Sequence, residues 1–523
     1  MRKPIRKIAF FSASCFFLLT SAGCAGPQNE FVDLAPFEEI PVAYQHEWDE
    51  SVHPFTGAAV IDIDGDGKDE VFVGGGHDQP DALLSYRAGK LENIIEGTGL
   101  SNPAATHGPV SIDLDDDGDV DLIVAREDGL YLYLNTDGTF AQSRLPVALP
   151  ADSVPFSVAV SDIDHDGDGD LYVSVFVAFP SFRSGVYNEP DHAKSNVLLL
   201  NNGDGTFTDI TTSSNTAGKQ NSFLAVFSDL NNDGWQDLVV AQNTGEVEIF
   251  RNNRDQTFTP VPTDSGYGFW MGLAVGDIDK DGDQDLFFSN VGDSIPAFLT
   301  TGDIRDDQRH NLEWLLLRND GDFAFSDVTS DYGITDEGFG WGAVFEDLNL
   351  DGQLDLLVAQ NYIKWPVHTL FKLPARTYLQ TASGDQLVHV ESLGLENPHF
   401  GQSPLIVDLD NDARPDVLWL NMNGPVRAFL NRSPGRFLSV SVPDRVALLG
   451  TRLRVDTNEG KSYTREIVTS TGLMTDPSFD MVFGLGEDEQ VTRLVIMHPN
   501  GDTQIIDSPG FRIDLMDSFR KPY

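Results

Sequence analysis

Hydrophobic positions in this chain come in short runs that either alternate with polar residues or end at compact polar turns. Phe156 to Ser161 reads Phe-Ser-Val-Ala-Val-Ser, and the apolar run Leu171-Tyr172-Val173 follows after a loop of nine residues. A period of two predicts half-buried strands, and short apolar runs bounded by turn residues predict buried strands. The pattern therefore predicts an all-β protein in which pairs of strands flank a recurrent loop.

The recurrent loop is acidic and occurs seven times. In its clearest copy, which begins at Asp162, acidic residues stand at positions 1, 3, 5 and 9 and a glycine stands at position 6. Asn replaces Asp at position 3 of loops 4 and 6, and Ala413 replaces the glycine of loop 7. Positions 1, 3, 5 and 9 are Asp62, Asp64, Asp66 and Glu70 in loop 1; Asp113, Asp115, Asp117 and Asp121 in loop 2; Asp162, Asp164, Asp166 and Asp170 in loop 3; Asp229, Asn231, Asp233 and Asp237 in loop 4; Asp277, Asp279, Asp281 and Asp285 in loop 5; Asp347, Asn349, Asp351 and Asp355 in loop 6; and Asp408, Asp410, Asp412 and Asp416 in loop 7.

This spacing predicts a calcium site in each loop, up to seven in all. Alternate side-chain oxygens, a backbone carbonyl at position 7 and a final carboxylate suit a hard cation that takes six to eight oxygen ligands. The glycine permits the tight turn that brings these oxygens together. Because the loops are held between strands, we expect the calcium to be structural rather than regulatory.

An EF-hand begins with similar residues but is excluded by the flanking sequence. An EF-hand requires a bidentate Glu at position 12 and a helix on each side. Position 12 here is apolar and lies within a strand-like run in every loop, as at Val73, Val173 and Trp419. Each loop is therefore predicted to join two strands.

The spacing between loops indicates the architecture. The loops begin at 62, 113, 162, 229, 277, 347 and 408, an irregular period of about fifty residues. Several loops are followed by an Asn/Asp-Gly hairpin, such as Leu132 to Phe140 and Leu199 to Phe207. Four short strands per repeat are typical of a propeller blade, so the chain is predicted to form a seven-bladed β-propeller over residues 31–436.

These residues resemble the FG-GAP/VCBS repeats of integrin-α-like propellers. The resemblance is carried by the acidic loops, the hairpin at 201–211 and the glycine-aromatic segment Gly338 to Gly342. It implies calcium in the loops, away from the partner-binding face. Because Phe31-Val32-Asp33-Leu34 matches the outer strands at Phe207 and Phe325, we expect that segment to complete the last blade and close the ring.

The pattern changes after Arg436. Residues 437–517 contain no acidic loop of this type and are predicted to form a small β-rich domain, followed by a tail at 518–523. The domain resembles the ASPIC/UnbV domain that follows such repeats in cartilage-acidic-protein-like proteins. The matching segments include Ser470 to Met474, Val482 to Gly486 and His498 to Gly501.

The charge and the N-terminus bear on location and partners. The formal net charge of -48 disfavours nucleic acid as a partner, because phosphate contacts require Lys and Arg. Residues 1–23 combine a basic start with an apolar stretch of signal-peptide length. The segment ending at Cys24 resembles a bacterial lipoprotein signal, which implies a lipidated Cys24, a tether at 24–30 and a lipid anchor as the contact with the membrane. The expected location is the cell envelope, as an outer-membrane lipoprotein that faces either the periplasm or the cell surface, and simple secretion is the alternative.

The remaining residues offer no unique catalytic constellation. A catalytic carboxylate pair is normally unique, whereas these carboxylates recur seven times, and the histidines lack a zinc-binding spacing. His165, at position 4 of its loop, is expected to point into solvent. Three longer insertions lie at 179–196, 301–311 and 361–376, and the first and third carry aromatic residues that are candidates for ligand contact. The insertion candidates are Phe182, Arg183, Tyr187, His192, Tyr362, Trp365, His368 and Phe371.

The expected function is non-enzymatic binding or adhesion at the cell envelope, with a protein or a polysaccharide as ligand. Two alternatives stay open: a propeller-scaffold enzyme that acts on polysaccharide, and a structural partner for other envelope proteins.

Overall fold

The structure is a computed structural model that describes residues 36–182, 194–218, 221–292, 307–335, 337–361, 373–391, 393–486 and 488–515. Every described residue belongs to one compact unit within residues 35–523. The signal segment, Cys24 and Phe31 to Leu34 therefore lie outside the described residues. None of the helices in the described ranges has the length and apolarity that crossing a membrane requires.

Seven antiparallel sheets follow one another between residues 37 and 431 of the described chain, as predicted for propeller blades. Each sheet contains the two strands that flank one acidic loop. The strands are β1 (Phe37–Ile40), β2 (Ala58–Ile61), β3 (Glu70–Val73), β4 (Ala82–Arg87), β5 (Lys90–Asn93), β6 (Thr106–Ile112), β7 (Asp121–Arg126), β8 (Gly129–Thr136), β9 (Thr139–Arg144), β10 (Ser153–Ser161), β11 (Asp170–Val177), β12 (Val197–Asn201), β13 (Phe207–Asp209), β14 (Asn221–Ser228), β15 (Asp237–Gly245), β16 (Glu248–Asn252), β17 (Phe258–Val261), β18 (Gly268–Phe269), β19 (Leu273–Gly276), β20 (Asp285–Phe288), β21 (Leu315–Asn319), β22 (Phe325–Asp327), β23 (Gly340–Glu346), β24 (Asp355–Gln360), β25 (Arg376–Gln380), β26 (Leu387–His389), β27 (Gly401–Val407), β28 (Asp416–Asn421) and β29 (Arg427–Asn431).

The sheets are ordered as the sequence predicts. Sheets 1 to 6 run β2-β3-β4-β5, β6-β7-β8-β9, β10-β11-β12-β13, β14-β15-β16-β17, β19-β20-β21-β22 and β23-β24-β25-β26, and β18 pairs with β15. Each acidic loop joins the first strand of its sheet to the second, and the position-9 residue begins that second strand. The strand-loop-strand prediction is confirmed, and with it the exclusion of an EF-hand.

The first strands of successive sheets contact one another in the order β2, β6, β10, β14, β19, β23, β27. Strands such as β7, β11 and β24 are buried along their whole length. Burial on both faces explains their nearly continuous apolar sequences, because each sheet packs between two neighbours. Phe72 of sheet 1, for example, shares a cluster with Leu122 and Tyr133 of sheet 2.

The seventh sheet includes a strand from the N-terminal segment. Its order is β1-β29-β28-β27, with Phe37 opposite Asn431 and Ile40 opposite Ala428. An N-terminal strand therefore completes the last sheet. The strand seen is Phe37–Ile40, a few residues after the segment named from the sequence.

The remaining strands form the C-terminal domain and pack as two sheets. These strands are β30 (Arg436–Ser441), β31 (Arg452–Thr457), β32 (Ser462–Glu466), β33 (Thr475–Asp476), β34 (Met481–Leu485), β35 (Val491–Met497), β36 (Thr503–Asp507) and β37 (Arg512–Asp514). One sheet is ordered β34-β30-β37 and the other β32-β31-β35-β36. Leu438, Leu453 and Ile496 are fully buried among these strands.

The short strand β33 belongs instead to the first propeller sheet, where it pairs in parallel with β2. It ends a segment, Thr469–Asp476, that we call the channel segment because it lies among the first strands of five sheets. Backbone or side-chain hydrogen bonds join this segment to Val160, Leu273, Ser403, Ala58 and Ser111. The sequence predicted a small β-rich domain over residues 437–517, and part of that range, the channel segment, lies among the propeller strands.

A second segment lies at the centre beside the channel segment. Phe55, which is 4% exposed, contacts the rings of Phe156, Phe223 and Trp341 from three other sheets. The two segments meet at Gln402. Its Oε1 accepts from the backbone N–H of Thr56 at 2.9 Å, and its Nε2 lies 3.8 Å from Sδ of Met474. Two segments of the chain therefore occupy the centre of the propeller.

Candidate metal centres

Position 9 of each loop is anchored by the sheet that it begins. In loop 3, Asp170 Oδ2 accepts from the N–H of Ile163 at 3.0 Å, and Oδ1 accepts from the N–H of Asn201 at 2.8 Å. The same pair of bonds recurs in loops 2, 4, 5, 6 and 7. Each carboxylate is thereby held with its oxygens beside the start of the loop.

Position 1 closes the turn. Asp162 Oδ1 and Oδ2 accept from the N–H groups of Asp166 and Gly167, each at 3.0 Å. Gly167 has a φ of 97°, in the left-handed region that glycine adopts without strain. Position 5 completes the scheme, because Asp166 Oδ1 accepts from the N–H of Asp168 at 3.0 Å. The backbone thus fixes the side chains at positions 1, 5 and 9.

The fixed side chains bring their oxygens together. In five loops, three carboxylates each offer an oxygen within 4.8 Å of the other two. These sets are Asp62, Asp64 and Asp66; Asp113, Asp115 and Asp121; Asp162, Asp164 and Asp170; Asp277, Asp279 and Asp285; and Asp408, Asp410 and Asp416. Loops 4 and 6 have an amide at position 3 in place of a third carboxylate, and Asn231 and Asn349 lie 3.0 and 2.9 Å from Asp233 and Asp351.

Several of these oxygens are buried without a hydrogen-bond partner. Asp164 Oδ1, Asn231 Oδ1, Asp277 Oδ1 and Asp410 Oδ1 are such atoms. A buried acceptor without a partner is costly unless an ion or a water satisfies it. The donor set consists of oxygen throughout, which suits Ca²⁺ rather than a metal that prefers nitrogen or sulfur.

Burial and mutual repulsion change the acidity of the loops. Burial, followed by the charges of Asp281 and Asp279, raises the pKa of Asp277 to about 7. Burial raises the pKa of Asp121 to about 7 and those of Asp170 and Asp285 to about 8. The cause is the cost of holding negative charge away from water, which a bound cation would offset.

The residues whose backbone N–H groups hold the position-9 carboxylates also connect neighbouring sheets through their side chains. The sequence did not reveal this role. The Asn252 side-chain amide donates to Ile163 O of loop 3 at 3.1 Å, and Asn319 donates to Leu230 O of loop 4 at 2.8 Å. Asn135, Gln380 and Asn431 make the corresponding bonds to loops 1, 5 and 6. The Asn of the hairpin pattern was interpreted only as a turn residue, although it recurs at the end of the third strand.

The C-terminal domain covers the loop face of the propeller. Glu466 Oε1 accepts from the N–H of Asp229 at 2.9 Å, at the first position of loop 4. Arg465 pairs with Glu346, which precedes loop 6, at 2.6 Å. Tyr463 lies against loop 6 as well, because a Cβ added to Gly352 would come within 2.8 Å of its ring. The loops thus form part of the interface between the propeller and the C-terminal domain.

One expectation about the loops was wrong. His165 does not point freely into solvent; its ring stacks on Trp235 of loop 4 at a centroid distance of 3.7 Å. Among the insertion candidates, Phe182 packs on His53 and Phe176. The others, Arg183, Tyr187, His192, Tyr362, Trp365, His368 and Phe371, lie outside the described residues.

Parts of this chain match the models of two protein families. Residues 62–124, 113–173 and 229–288 match the FG-GAP-like repeat, and residues 444–512 match the ASPIC and UnbV domain. Cartilage acidic protein 1 of Homo sapiens is 23% identical over 333 residues, which cover 58% of this chain and 47% of the relative. The mouse protein of the same name is 23% identical over 382 residues, with coverages of 66% and 55%. This chain is homologous to these proteins and spans about half of their length.

Solved structures that are similar to this chain at low identity include a lectin, a lyase and a propeller. One is an Agrocybe aegerita lectin that recognises non-reducing terminal N-acetylglucosamine, with 18% identity, coverages of 75% and 93% and a TM-score of 0.39. The exotype rhamnogalacturonan lyase YesX has 14% identity, coverages of 76% and 76% and a TM-score of 0.41. The Dos1 propeller has 10% identity, coverages of 90% and 97% and a TM-score of 0.38.

Proposed function

We propose that this chain, with its FG-GAP-like repeats and ASPIC/UnbV domain, is an exported, calcium-stabilised binding module of the cell envelope. The observation that carries the proposal is the repeated acidic loop, which holds unsatisfied buried oxygens in a fixed frame. Ca²⁺ would be held by positions 1, 3, 5 and 9 and would neutralise carboxylates that otherwise repel one another. Its contribution is to stiffen the scaffold.

The scaffold is a closed ring of seven blades. Support comes from the pairing of β1 with β29, which joins the N-terminal segment to the last sheet. The channel segment adds a second connection, because β33 contacts both β27 and β2. Closure by strands from both ends of a propeller removes the exposed edge that an open array would leave.

A binding role is favoured because two segments of the chain fill the centre of the ring. Phe55 and Met474 occupy the region where an enzyme with a propeller scaffold would place a central active site. The ligand then meets the outside of the ring or the C-terminal domain. In this proposal the ligand is a polysaccharide or another protein.

One surface for such a ligand is a cleft between loops 4 and 5 and the C-terminal domain. Its volume is about 610 Å³, and Asn232, Lys280, Arg454 and His498 line it. That volume is within the range typical of ligand sites, roughly 300 to 1,000 Å³. The mixture of charged and amide groups suits the hydroxyls of a sugar.

Glycan capture by the soluble form, residues 25–523, tests the binding role. We expect glycan-specific capture in calcium, at least tenfold weaker capture in chelator, and a similar loss in Arg454→Ala. Arg493→Ala is the matched control, because both arginines are partly exposed and pair with an aspartate of the same domain. Equal loss of glycan capture in both variants would show that the cleft is not the ligand site. Absence of capture would favour a protein partner, and release of shortened glycan would establish an enzyme instead.

The location is part of the same proposal. Residues 1–23 would direct export, and Cys24 would carry the lipid that anchors the protein to the cell envelope. Replacing Cys24 by Ser should move the protein from the membrane fraction to the soluble fraction, because one lipid-bearing thiol is lost while the rest of the chain is unchanged. Cys15→Ser is the control and should stay in the membrane fraction. Equal membrane recovery of both variants would contradict lipidation at Cys24.

A further inference from the structure

The seventh loop differs from the others in the number of cationic side chains on its ligand positions. In loops 1, 2, 4 and 5 one cation reaches one ligand position each, from Lys68, Arg445, Arg254 and Arg318. Arg432 Nη1 lies 2.8 Å from Asp410 Oδ2 and 3.2 Å from Asp412 Oδ2, which are positions 3 and 5. Arg414, at position 7 of the loop, lies 2.9 Å from the same Asp412 oxygen. Two guanidinium groups thus occupy the outer oxygens of two ligand positions.

Loop 3 shows the contrast. There the side chain that reaches position 3 is a neutral amide, because Gln256 Nε2 donates to Asp164 Oδ2 at 2.7 Å. An amide leaves the negative charge of the loop intact, whereas a guanidinium neutralises part of it and repels a divalent cation. In loop 7 the buried oxygen Asp410 Oδ1 has no hydrogen-bond partner, whereas the Oδ2 atoms of Asp410 and Asp412 are paired with arginine.

The rest of the seventh loop is also adapted. Ala413 replaces the position-6 glycine and adopts a φ of 64°, which is strained for a residue with a side chain. Its N–H nevertheless donates to Asp408 Oδ2 at 2.7 Å, so the turn keeps its shape. Arg414 is further fixed by a hydrogen bond from Nε to Ser433 O at 3.1 Å and by its position over the ring of Phe437.

Arg432 also contacts the strand that completes the seventh sheet. Its backbone N–H donates to Pro36 O at 2.5 Å, and its Nε lies 3.5 Å from Glu38 Oε2 on β1. At the next residue of β1, Glu39, Oε1 lies 2.8 Å from Nε of Arg427. The same arginine therefore joins the acidic loop to the N-terminal strand.

We propose that Arg432 and Arg414 take the place of calcium in loop 7, so that this loop and the attachment of β1 are held without metal. This inference rests on the proposed calcium binding by the other loops. It predicts that the ring stays closed when free calcium is low, while the remaining loops lose their ions.

Calcium content per chain, measured by mass spectrometry of the metal after dialysis at about 1 mM free calcium, tests the proposal; extracellular calcium sites typically bind at roughly 10⁻⁴ to 10⁻³ M. Asp410→Ala should retain the calcium content of the parent protein, whereas Asp164→Ala, which removes the position-3 ligand of loop 3, should lose one ion. Arg414→Gln combined with Arg432→Gln should gain one ion.

The outcomes separate this inference from the proposed function. Loss of one ion in Asp410→Ala would overturn it, because loop 7 would then hold calcium in the parent protein. An unchanged content in Asp164→Ala, together with no calcium in the parent protein, would instead contradict calcium binding by the loops. If the double variant fails to fold, the comparison of Asp410→Ala with Asp164→Ala still decides.

Discussion

Removing calcium should lower the melting temperature by about 8 °C at pH 8, with a smaller loss at pH 5. A site that sits at ten times its dissociation constant adds about 1.4 kcal/mol to stability, so six such sites add about 8 kcal/mol. The entropy of unfolding is about 2.1 cal/mol/K per residue, or roughly 1 kcal/mol per degree for a core of about 480 residues. Emptied loops also leave carboxylates close together, which adds to the loss.

The direction of the pH dependence follows from the raised pKa values. In the folded chain without metal, burial raises the pKa of Asp162 to about 6 and that of Asp237 to about 8, while both are near 3.8 when unfolded. Stability that is present below pH 4 is then lost as the pH rises through 6 to 8. With calcium the dependence reverses, because the ion binds the deprotonated form.

Melting curves in calcium and in chelator, at matched ionic strength from pH 5 to pH 8, check this prediction. Asp170→Asn should abolish the stabilisation that calcium in loop 3 provides. Asp168→Asn should retain it, because Asp168 is at position 7 of the same loop, where the ligand is the backbone carbonyl and the side chain is only partly buried. Identical melts with and without chelator across this range would rule out structural calcium.

Enlarging Gly472 in the channel segment should destabilise the protein by roughly 5 kcal/mol or more. Gly472 has a φ of 92°, and a Cβ there would lie 2.2 Å from Thr475 Oγ1 and 2.8 Å from Ser403 Oγ. Gly472→Val would force the segment out of the ring and expose Leu473 and Met474, which are 0% and 2% exposed. Each of these side chains is of a size whose loss from a core costs about 2 to 5 kcal/mol.

The segment also holds a buried acid. Asp476, which is fully buried, accepts from Ser111 N–H and Ser470 N–H, each at 2.8 Å. Expelling the segment would leave the Ser111 N–H unpaired as well, at a cost of about 1 to 3 kcal/mol. The loss of stability should be accompanied by protease cleavage between the propeller and the C-terminal domain.

Gly501→Val is the matched control for backbone strain. Gly501 has a φ of 88° in the same domain, but a Cβ there meets no atom within 4 Å. Thermal unfolding and limited proteolysis should therefore show a much larger effect for Gly472→Val. Equal effects of the two variants would mean that backbone strain, and not crowding in the channel, causes the loss of stability.

The sequence was informative where each residue acts within its own repeat. The loop spacing placed Asp162 and Asp170 correctly at either end of a turn between strands, because a nine-residue loop leaves little freedom once both strands are assigned. The apolar position 12, as at Val173, excluded helices for the same reason. The hairpins at Asn135 and Asn201 followed from turn residues that act locally.

What the sequence did not reveal depends on contacts between distant segments. Nothing in the residues from Ser470 to Met474 indicates that this segment lies beside Val158 and Leu273. Its insertion into the channel depends on how its shape fits between strands that are distant in the sequence. The pairing of Arg432 with Asp410 crosses from a hairpin to a loop, and no local periodicity marks it. His165 was expected in solvent because Trp235, the residue that covers it, belongs to the next sheet.

The most direct test of the calcium centres is an anomalous difference map from crystals grown with calcium. We expect a peak in each of loops 1 to 6, enclosed by the oxygens of positions 1, 3, 5 and 9. In loop 7 we expect the guanidinium of Arg432 beside the ligand positions and no peak. A well-ordered map without an anomalous peak in any of the acidic loops would contradict the account.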